Sequence, residues 1–196
     1  MRGSVLSKVE GFTMFELMIT ISIMVIVAAL VLANFPGFNR QVAVDRAAQE
    51  VSLALRSAQA RALAVQKFVP TGQFPQGYGV FFTKTANTSY ILFADLNENG
   101  LYTSEEKVDE IVLPKPIIIT GLLAKEKTSP PGISYRELHI VYYRPDPVIV
   151  MRGVDAAGVS ADLGAGDVEI ILGSSDGSTG LRTVVAWTTG QVSAEE

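Results

Sequence analysis

The segment from Leu17 to Phe38 reads LMITISIMVIVAALVLANFPGF, a run of 22 residues without a charge. A helix of that length crosses hydrocarbon about 30 Å thick. The run is also longer than the apolar core of a secretory signal peptide, which has about 7–15 residues. Upstream, the apolar stretch begins at Phe12 and contains one charge, Glu16. We therefore expect residues 12–38 to form a membrane-spanning helix, with polar chain following it.

The residues before this segment indicate its orientation. Residues 1–11, MRGSVLSKVEG, carry Arg2 and Lys8 against Glu10. Basic residues near a membrane segment favour the cytoplasmic side. We expect a single-pass chain with residues 1–11 inside and its C-terminal part outside.

The composition excludes several function classes. The chain of 196 residues has a net charge of −4, no Cys and one His, His139. Disulfide scaffolds, thiolate metal sites and cysteine nucleophiles are therefore impossible. No phosphate-binding loop, nucleophile elbow or dinucleotide-binding motif is present, so we expect no enzyme. The acidic balance gives no support for nucleic acid binding. His139 is expected to be a structural residue on a strand.

A second helical pattern follows Pro36 and Gly37, where we expect a kink or a loosened turn. Apolar residues recur there with alternating gaps of four and three, which predicts one face of an amphipathic helix. We expect residues 39–67 to cover the core of their own domain with this face, as the second half of one helix from residue 12 to 67. The face comprises Val44, Ala48, Val51, Leu55, Ala58, Ala62 and Val65.

Residues 68–196 are predicted to form a β-rich globular domain. Turn signals, among them Pro130–Gly132 and Pro145–Pro147, separate short runs of β-branched and aromatic residues, and Gly153–Asp167 reads as a loop. The expected fold is α+β, a long N-terminal helix packed on an antiparallel sheet. The predicted strands are Tyr78–Phe82, Ser89–Phe93, Pro116–Thr120, Glu137–Tyr143, Val148–Met151, Val168–Leu172, Arg182–Trp187 and a last one at Gln191–Val192.

The junction Gly11-Phe12-Thr13-Met14-Phe15-Glu16-Leu17 resembles the cleavage and methylation signal of type IV pilins and pseudopilins. By that resemblance residues 1–11 are a leader that prepilin peptidase removes after Gly11. Phe12 becomes the N-methylated terminus, and Glu16 sets the register of assembly. The segment Gly180–Val192, GLRTVVAWTTGQV, is similar to the GspH/FimT group of minor pseudopilins.

The resemblance also implies partners and a location. The chain would lie in the inner membrane, and an assembly platform with its ATPase would add it to other pilin or pseudopilin subunits. The product would be a periplasmic or extracellular filament, either a type IV pilus or a type II secretion pseudopilus. The lipid bilayer is the remaining partner.

Elementary electrostatics gives Glu16 the same role. A carboxylate in a bilayer costs several kcal/mol unless it is paired. Cleavage after Gly11 would create an ammonium at Phe12, about one helical turn away. A neighbouring subunit, displaced along a filament axis, could offer that ammonium to Glu16. The alternative is that Glu16 lies at the membrane interface, where a carboxylate is tolerated.

One loop matches the calcium-binding pattern D-x-[DN]-x-[DN]-G-x5-E, with Asp95, Asn97, Asn99, Gly100 and Glu106 at the matching positions. The alternative is a metal-free hairpin loop around Asn99-Gly100, stabilised by Asx turns. The residues alone assign no metal site, and calcium is the one candidate cofactor. The neighbouring acidic patch, Glu105, Glu106, Asp109 and Glu110, is expected to be a solvated loop.

Two other functions fit the same residues. The chain could be a single-pass, membrane-anchored binding module that does not polymerise and keeps its leader. It could also be a secreted protein cleaved after Ala33, since Val31-Leu32-Ala33 loosely resembles a small-residue cleavage site. The mature N-terminus distinguishes them: Phe12 for a filament subunit, Met1 for an anchored module, and Asn34 for a secreted protein.

Overall fold

The computed structural model describes residues 11–126, 129–144, 148–164 and 166–195. The expected leader, apart from Gly11, and the expected turn at Pro145–Pro147 lie outside the described residues. The chain divides into two compact units, Met1–Asn39 and Arg40–Glu196. We call the first the apolar unit and the second the folded unit.

The N-terminal helix, α1, comprises Met14–Leu63. It begins two residues after and ends four residues before the bounds of the expected helix, and its assignment continues through Pro36 and Gly37. Within the apolar unit, residues 11–32 are all exposed. By length and composition, α1 is long and apolar enough to cross a membrane.

In the folded unit, one face of α1 is buried, as the four-and-three spacing predicts. Val65 was wrongly included in this face. It follows the end of the helix, has a φ of 51° and is 45% exposed. Ala47 belongs to the face, although the strict heptad spacing omitted it. The buried face comprises Val44, Ala47, Ala48, Val51, Leu55, Ala58 and Ala62.

The rest of the folded unit is β-structure. The strands are β1 Gly77–Thr83, β2 Ser89–Asp95, β3 Lys107–Val112, β4 Ile117–Glu126, β5 Ser129–Ser134, β6 Glu137–Tyr143, β7 Ile149–Val154, β8 Ser160–Asp162, β9 Asp167–Ser174, β10 Arg182–Trp187 and β11 Val192–Glu195. They form a first sheet in the order β3-β2-β1-β6-β7-β8 and a second sheet in the order β11-β10-β9-β4-β5. Every described strand pair is antiparallel. The fold class is therefore α+β, with a long N-terminal helix packed on antiparallel sheets.

Three strands were not predicted, each for a local reason. β3 is rich in charge, β8 has only three residues in the stretch that we expected to be a loop, and β5 contains the Pro-Pro-Gly that we interpreted as a turn. β5 lies at the edge of the second sheet. Proline is tolerated there because one side of an edge strand needs no backbone donor.

One hydrophobic core joins the two sheets and α1. The side chains of β1 alternate between the two faces of its sheet. Val80 and Phe82 are fully buried in this core, whereas Phe81 between them points to the opposite face. Two polar contacts fix the helix against the second sheet. Arg182 Nε donates to Asp45 Oδ1 at 2.6 Å, and Arg56 donates to the carbonyl of Val192 at 3.2 Å.

Candidate functional sites at the N-terminus and the Asp95–Glu106 loop

The first three residues of the predicted N-terminal signal form an exposed, non-helical lead into α1. Gly11, Phe12 and Thr13 precede the first helical residue, Met14, and Phe12 is 74% exposed. A Cβ placed on Gly11 would meet no heavy atom within 4 Å. The peptide bond between Gly11 and Phe12 is therefore open on the surface of the chain.

Thr13 caps the helix, and sequence reasoning missed this. The amide of Glu16 donates to Thr13 Oγ1 at 3.2 Å, and the amide of Leu17 donates to the Thr13 carbonyl at 3.1 Å. Glu16 is the third residue of α1, where a carboxylate is favoured by the helix dipole. The spacing Thr-x-x-Glu could have revealed the cap. Glu16 thus has a local role at the helix start as well as the predicted intermolecular one.

Two hydroxyls lie within the apolar segment, and both have partners in their own helix. Thr20 Oγ1 donates to the carbonyl of Leu17 at 2.9 Å, and Ser22 Oγ donates to that of Met18 at 2.8 Å. Hydrocarbon offers no hydrogen bonds, so polar groups there need internal partners. The segment is therefore suited to a lipid environment.

The second candidate site is the loop Asp95–Glu106, which joins β2 to β3. Asp95 is the last residue of β2, and Glu106 ends a short 3₁₀ turn, Ser104–Glu106. Glu98 and Gly100 adopt left-handed backbone conformations, with φ of 59° and 69°. Gly100 suits that conformation because it lacks a Cβ.

Side-chain oxygens organise this loop from within. Asn97 Oδ1 accepts the amide of Asn99 at 3.0 Å, and Asn99 Oδ1 accepts the amide of Leu101 at 2.7 Å. Asp95 Oδ2 accepts the amide of Gly100 at 2.9 Å and also the hydroxyl of Tyr143. These are the Asx turns of the metal-free alternative. They leave further lone pairs on the same oxygens.

Glu106 is 2% exposed, which corrects the expectation of a solvated acidic loop. Its Oε1 accepts the amide of Leu96 at 3.0 Å, and its Oε2 accepts the amide and hydroxyl of Thr103 at 3.0 and 2.9 Å. The carboxylate thereby joins the two ends of the loop. Asp109 and Glu110 lie on β3 rather than in a loop.

The loop folds back over the outer face of the first sheet. Tyr102 stacks on Phe81 with ring centroids 5.0 Å apart and meets Phe93 edge-on at 5.6 Å. The Phe93 ring in turn lies over Gly79, where a Cβ would approach it to 2.8 Å. Sequence reasoning missed this second apolar cluster because its members come from β1, β2, β6 and the loop.

His139 belongs to this cluster and lies on β6, as predicted. Its Nδ1 accepts the amide of Tyr102 at 3.0 Å, and its ring lies 4.7 Å from that of Phe81. Burial lowers the pKa of His139 to about 4, and the Arg152 guanidinium adds to the effect. The imidazole is therefore neutral at pH 7.

Buried polar atoms without a hydrogen-bond partner concentrate around the loop. In the described part of the chain they are Asp95 Oδ1, His139 Nε2 and Arg152 Nε. Arg152 packs against Gly100, where a Cβ would lie 2.9 Å from its Nε. The described residues contain no group of three or more His, Asp or Glu side chains able to hold a metal.

A separate open groove of about 510 Å³ lies where the chain leaves α1. Tyr78 lines it and donates its hydroxyl to the carbonyl of Gln66 at 2.9 Å. Arg61 and Lys67 give its rim a positive charge, and Val108 of β3 completes the wall.

The comparisons complete the description of these sites. Comparison of the chain with protein-family models, curated proteins and solved structures finds no match. The function is therefore inferred from the residues themselves.

Proposed function

We propose that this protein is a filament subunit of the minor pilin or pseudopilin kind. Prepilin peptidase would cleave it after Gly11, and it would be assembled into a type IV pilus or a type II secretion pseudopilus. The observation that carries the proposal is the junction Gly11–Leu17. There a small residue and an exposed Phe precede a membrane-length apolar helix, and a single carboxylate, Glu16, lies in its first turn.

The geometry of the junction supports cleavage. A peptidase needs an extended, accessible backbone, and residues 11–13 are exposed and precede the helix. The peptidase would supply the groups that cleave the bond between Gly11 and Phe12, and the chain supplies the substrate groups. Gly11 provides the open approach, and Phe12 provides the new amine.

The charges explain why processing would precede assembly. Glu16 is the only charged residue from Gly11 to Asn39. Cleavage supplies a positive amine at Phe12, and a neighbouring subunit can bring its own amine to this Glu16. The pair would be worth most in hydrocarbon, where an unpaired carboxylate is most costly.

The folded unit also supports the proposal, because its core does not need the exposed apolar segment. Residues Arg40–Glu196 form a compact unit whose main core includes described residues of both sheets. The exposed apolar residues 11–32 are not needed to complete that core. They are therefore free to contact lipid before assembly and other subunits afterwards.

The test is the N-terminal residue and intact mass of the protein isolated from membranes with prepilin peptidase, and from matched membranes without it. We expect a chain that starts at Phe12 and is one methyl group heavier, and only when the peptidase is present. A chain starting at Met1, or lacking only its initiator, in both samples would contradict the proposal. A start at Asn34 would identify a secreted protein.

A membrane-anchored binding module is the second candidate, and the groove beside Tyr78 favours it. Arg61 and Lys67 would suit an acidic ligand there. This function needs neither cleavage at Gly11 nor polymerisation. It would gain support from an intact N-terminus together with a monomeric protein in membranes.

A further inference from the structure

We propose that the loop Asp95–Glu106 binds a calcium ion through Asp95, Asn97, Asn99, the carbonyl of Leu101 and Glu106. The site is separate from the N-terminal signal, and its existence does not depend on filament assembly. Three features support this site: the buried carboxylates of Asp95 and Glu106, an oxygen of Asp95 without a hydrogen-bond partner, and the surrounding side-chain and carbonyl oxygens.

The first observation is that the loop contains two buried carboxylates. Asp95 is fully buried and Glu106 is 2% exposed. A buried carboxylate is costly unless an opposite charge lies beside it. The ion pairs recorded among the described residues involve neither of the two. The cationic Arg152 packs against Gly100 of the same loop but takes part in none of these ion pairs. The two buried carboxylates therefore have no salt-bridge partner among the described residues.

The second observation is an oxygen of the Asp95 carboxylate that has no hydrogen-bond partner. Its Oδ2 accepts the amide of Gly100 in the loop and the hydroxyl of Tyr143 on β6, so the carboxylate lies between the loop and the sheet. Its Oδ1 is buried and has no hydrogen-bond partner. A buried oxygen with both lone pairs unused is a rare and costly feature. A cation inside the loop would satisfy it directly.

The third observation is the donor set. Asp95, Asn97 and Asn99 alternate along the loop, and Glu106 closes it at the twelfth position. Asn97 and Asn99 each use their Oδ1 for one recorded amide, which leaves a second lone pair. Carboxylate, amide and carbonyl oxygens in a flexible ring are the ligands of calcium. Magnesium demands stricter octahedral geometry and dehydrates reluctantly.

The charge of the set also predicts weak binding. Only two of the ligands are anionic, and the cationic Arg152 packs directly against Gly100. Calcium sites of low ligand charge in extracellular modules have dissociation constants of about 10⁻⁴–10⁻³ M. The site would therefore fill only where calcium is millimolar, which is outside the cell.

The experiment uses the full chain in detergent micelles, first freed of calcium by a chelator. Calorimetry and thermal unfolding are followed as calcium is added to about 10 mM, with magnesium as a parallel series. At that concentration the folding equilibrium should shift about 10- to 100-fold, from the affinity range given above. Magnesium should produce a smaller shift at equal concentration.

Three variants locate the ion. Glu106→Gln removes a ligand charge, whereas Glu105→Gln removes the same charge from an exposed neighbour. We expect the first to weaken calcium binding at least tenfold and the second to change it less than twofold. Asn97→Ala acts at an exposed position and should weaken binding without unfolding the protein.

The wild-type titration keeps the test decisive if Glu106→Gln fails to fold. No heat and no thermal shift with 10 mM calcium would overturn the proposal. Equal shifts with calcium and magnesium would also overturn it, as would equal losses in Glu105→Gln and Glu106→Gln. Binding that is lost in Asn97→Ala and retained in Glu105→Gln would establish the site.

Discussion

The two units of this chain place apolar residues in opposite surroundings, although one helix contributes to both. In the apolar unit, Leu30 and its neighbours are exposed on every side of α1. In the folded unit, Leu55 on the same helix is completely buried in the core. Sequence hydrophobicity therefore predicts burial only together with periodicity. A helix apolar all round needs lipid or other subunits, and one with a stripe needs its own sheet.

The largest expected effect is a difference in the free energy of unfolding between substitutions in the two halves of α1. Leu55→Ala should lower the free energy of unfolding of the folded unit by about 2–5 kcal/mol, because it empties a fully buried site. Leu30→Ala is the matched control, since Leu30 is 65% exposed, and should leave that free energy almost unchanged. Denaturant unfolding of the full chain in micelles, followed by the fluorescence of Trp187, measures both. Equal losses would contradict the division.

The next effect is a pH dependence confined to the folded unit. The His139 pKa is about 4 in the folded chain, against 6.5 for an ordinary exposed histidine. Its stability contribution is therefore complete above pH 6.5 and is lost as the pH falls toward 4. The loss should approach about 1.4 kcal/mol per pH unit between pH 6 and 5.

A variant isolates this titration. His139→Gln removes the proton-binding group, so its stability should vary much less between pH 6.5 and 5 than that of the wild type. Thermal unfolding at several pH values in this window provides the measurement. A wild type and a variant with parallel pH profiles would show that His139 is not the group responsible.

The third effect concerns the apolar unit and is measured on assembly rather than stability. Glu16→Gln removes the charge but keeps the backbone amide that donates to Thr13 Oγ1. It should still be cleaved, yet enter filaments at least tenfold less, as expected for an unpaired ammonium on the neighbouring subunit. Quantifying the variant in sheared filaments against total membrane protein measures this.

Thr13→Ala is the matched control for that experiment. It removes the cap, worth about 1 kcal/mol, and keeps the Glu16 carboxylate. If pairing between subunits matters, Thr13→Ala should assemble far better than Glu16→Gln. Equal defects would instead assign Glu16 a purely local role at the start of the helix.

The fold was predictable wherever local pattern and tertiary environment agree. Glu137–Tyr143 and Arg182–Trp187 have the predicted bounds because the β-branched residues at their centres, Ile140–Val141 and Val184–Val185, are also buried. β3 escaped prediction because its charged residues face solvent at a sheet edge. Edge strands do not need the apolar pattern that identifies central ones.

The candidate sites show the same dependence on how far apart the residues lie along the chain. The candidate signal Gly11–Leu17 and the loop Asp95–Glu106 could be singled out from the sequence because their spacing is local, and the role of the signal stays a prediction. The contact between Tyr102 and His139 could not be predicted, because 37 positions separate them and they meet only through the pairing of β1 with both β2 and β6. The burial of Glu106 has the same origin, since its environment depends on how the loop lies on the sheet.

The charged edge of the first sheet affects contacts between copies of the protein. Lys107, Asp109 and Glu110 are exposed along β3, the terminal strand of that sheet. An open edge strand can pair with the backbone of any other chain, but pairing here would strip water from three charges. The exposed charges of β3 therefore disfavour pairing between this sheet edge and the edge of a second copy.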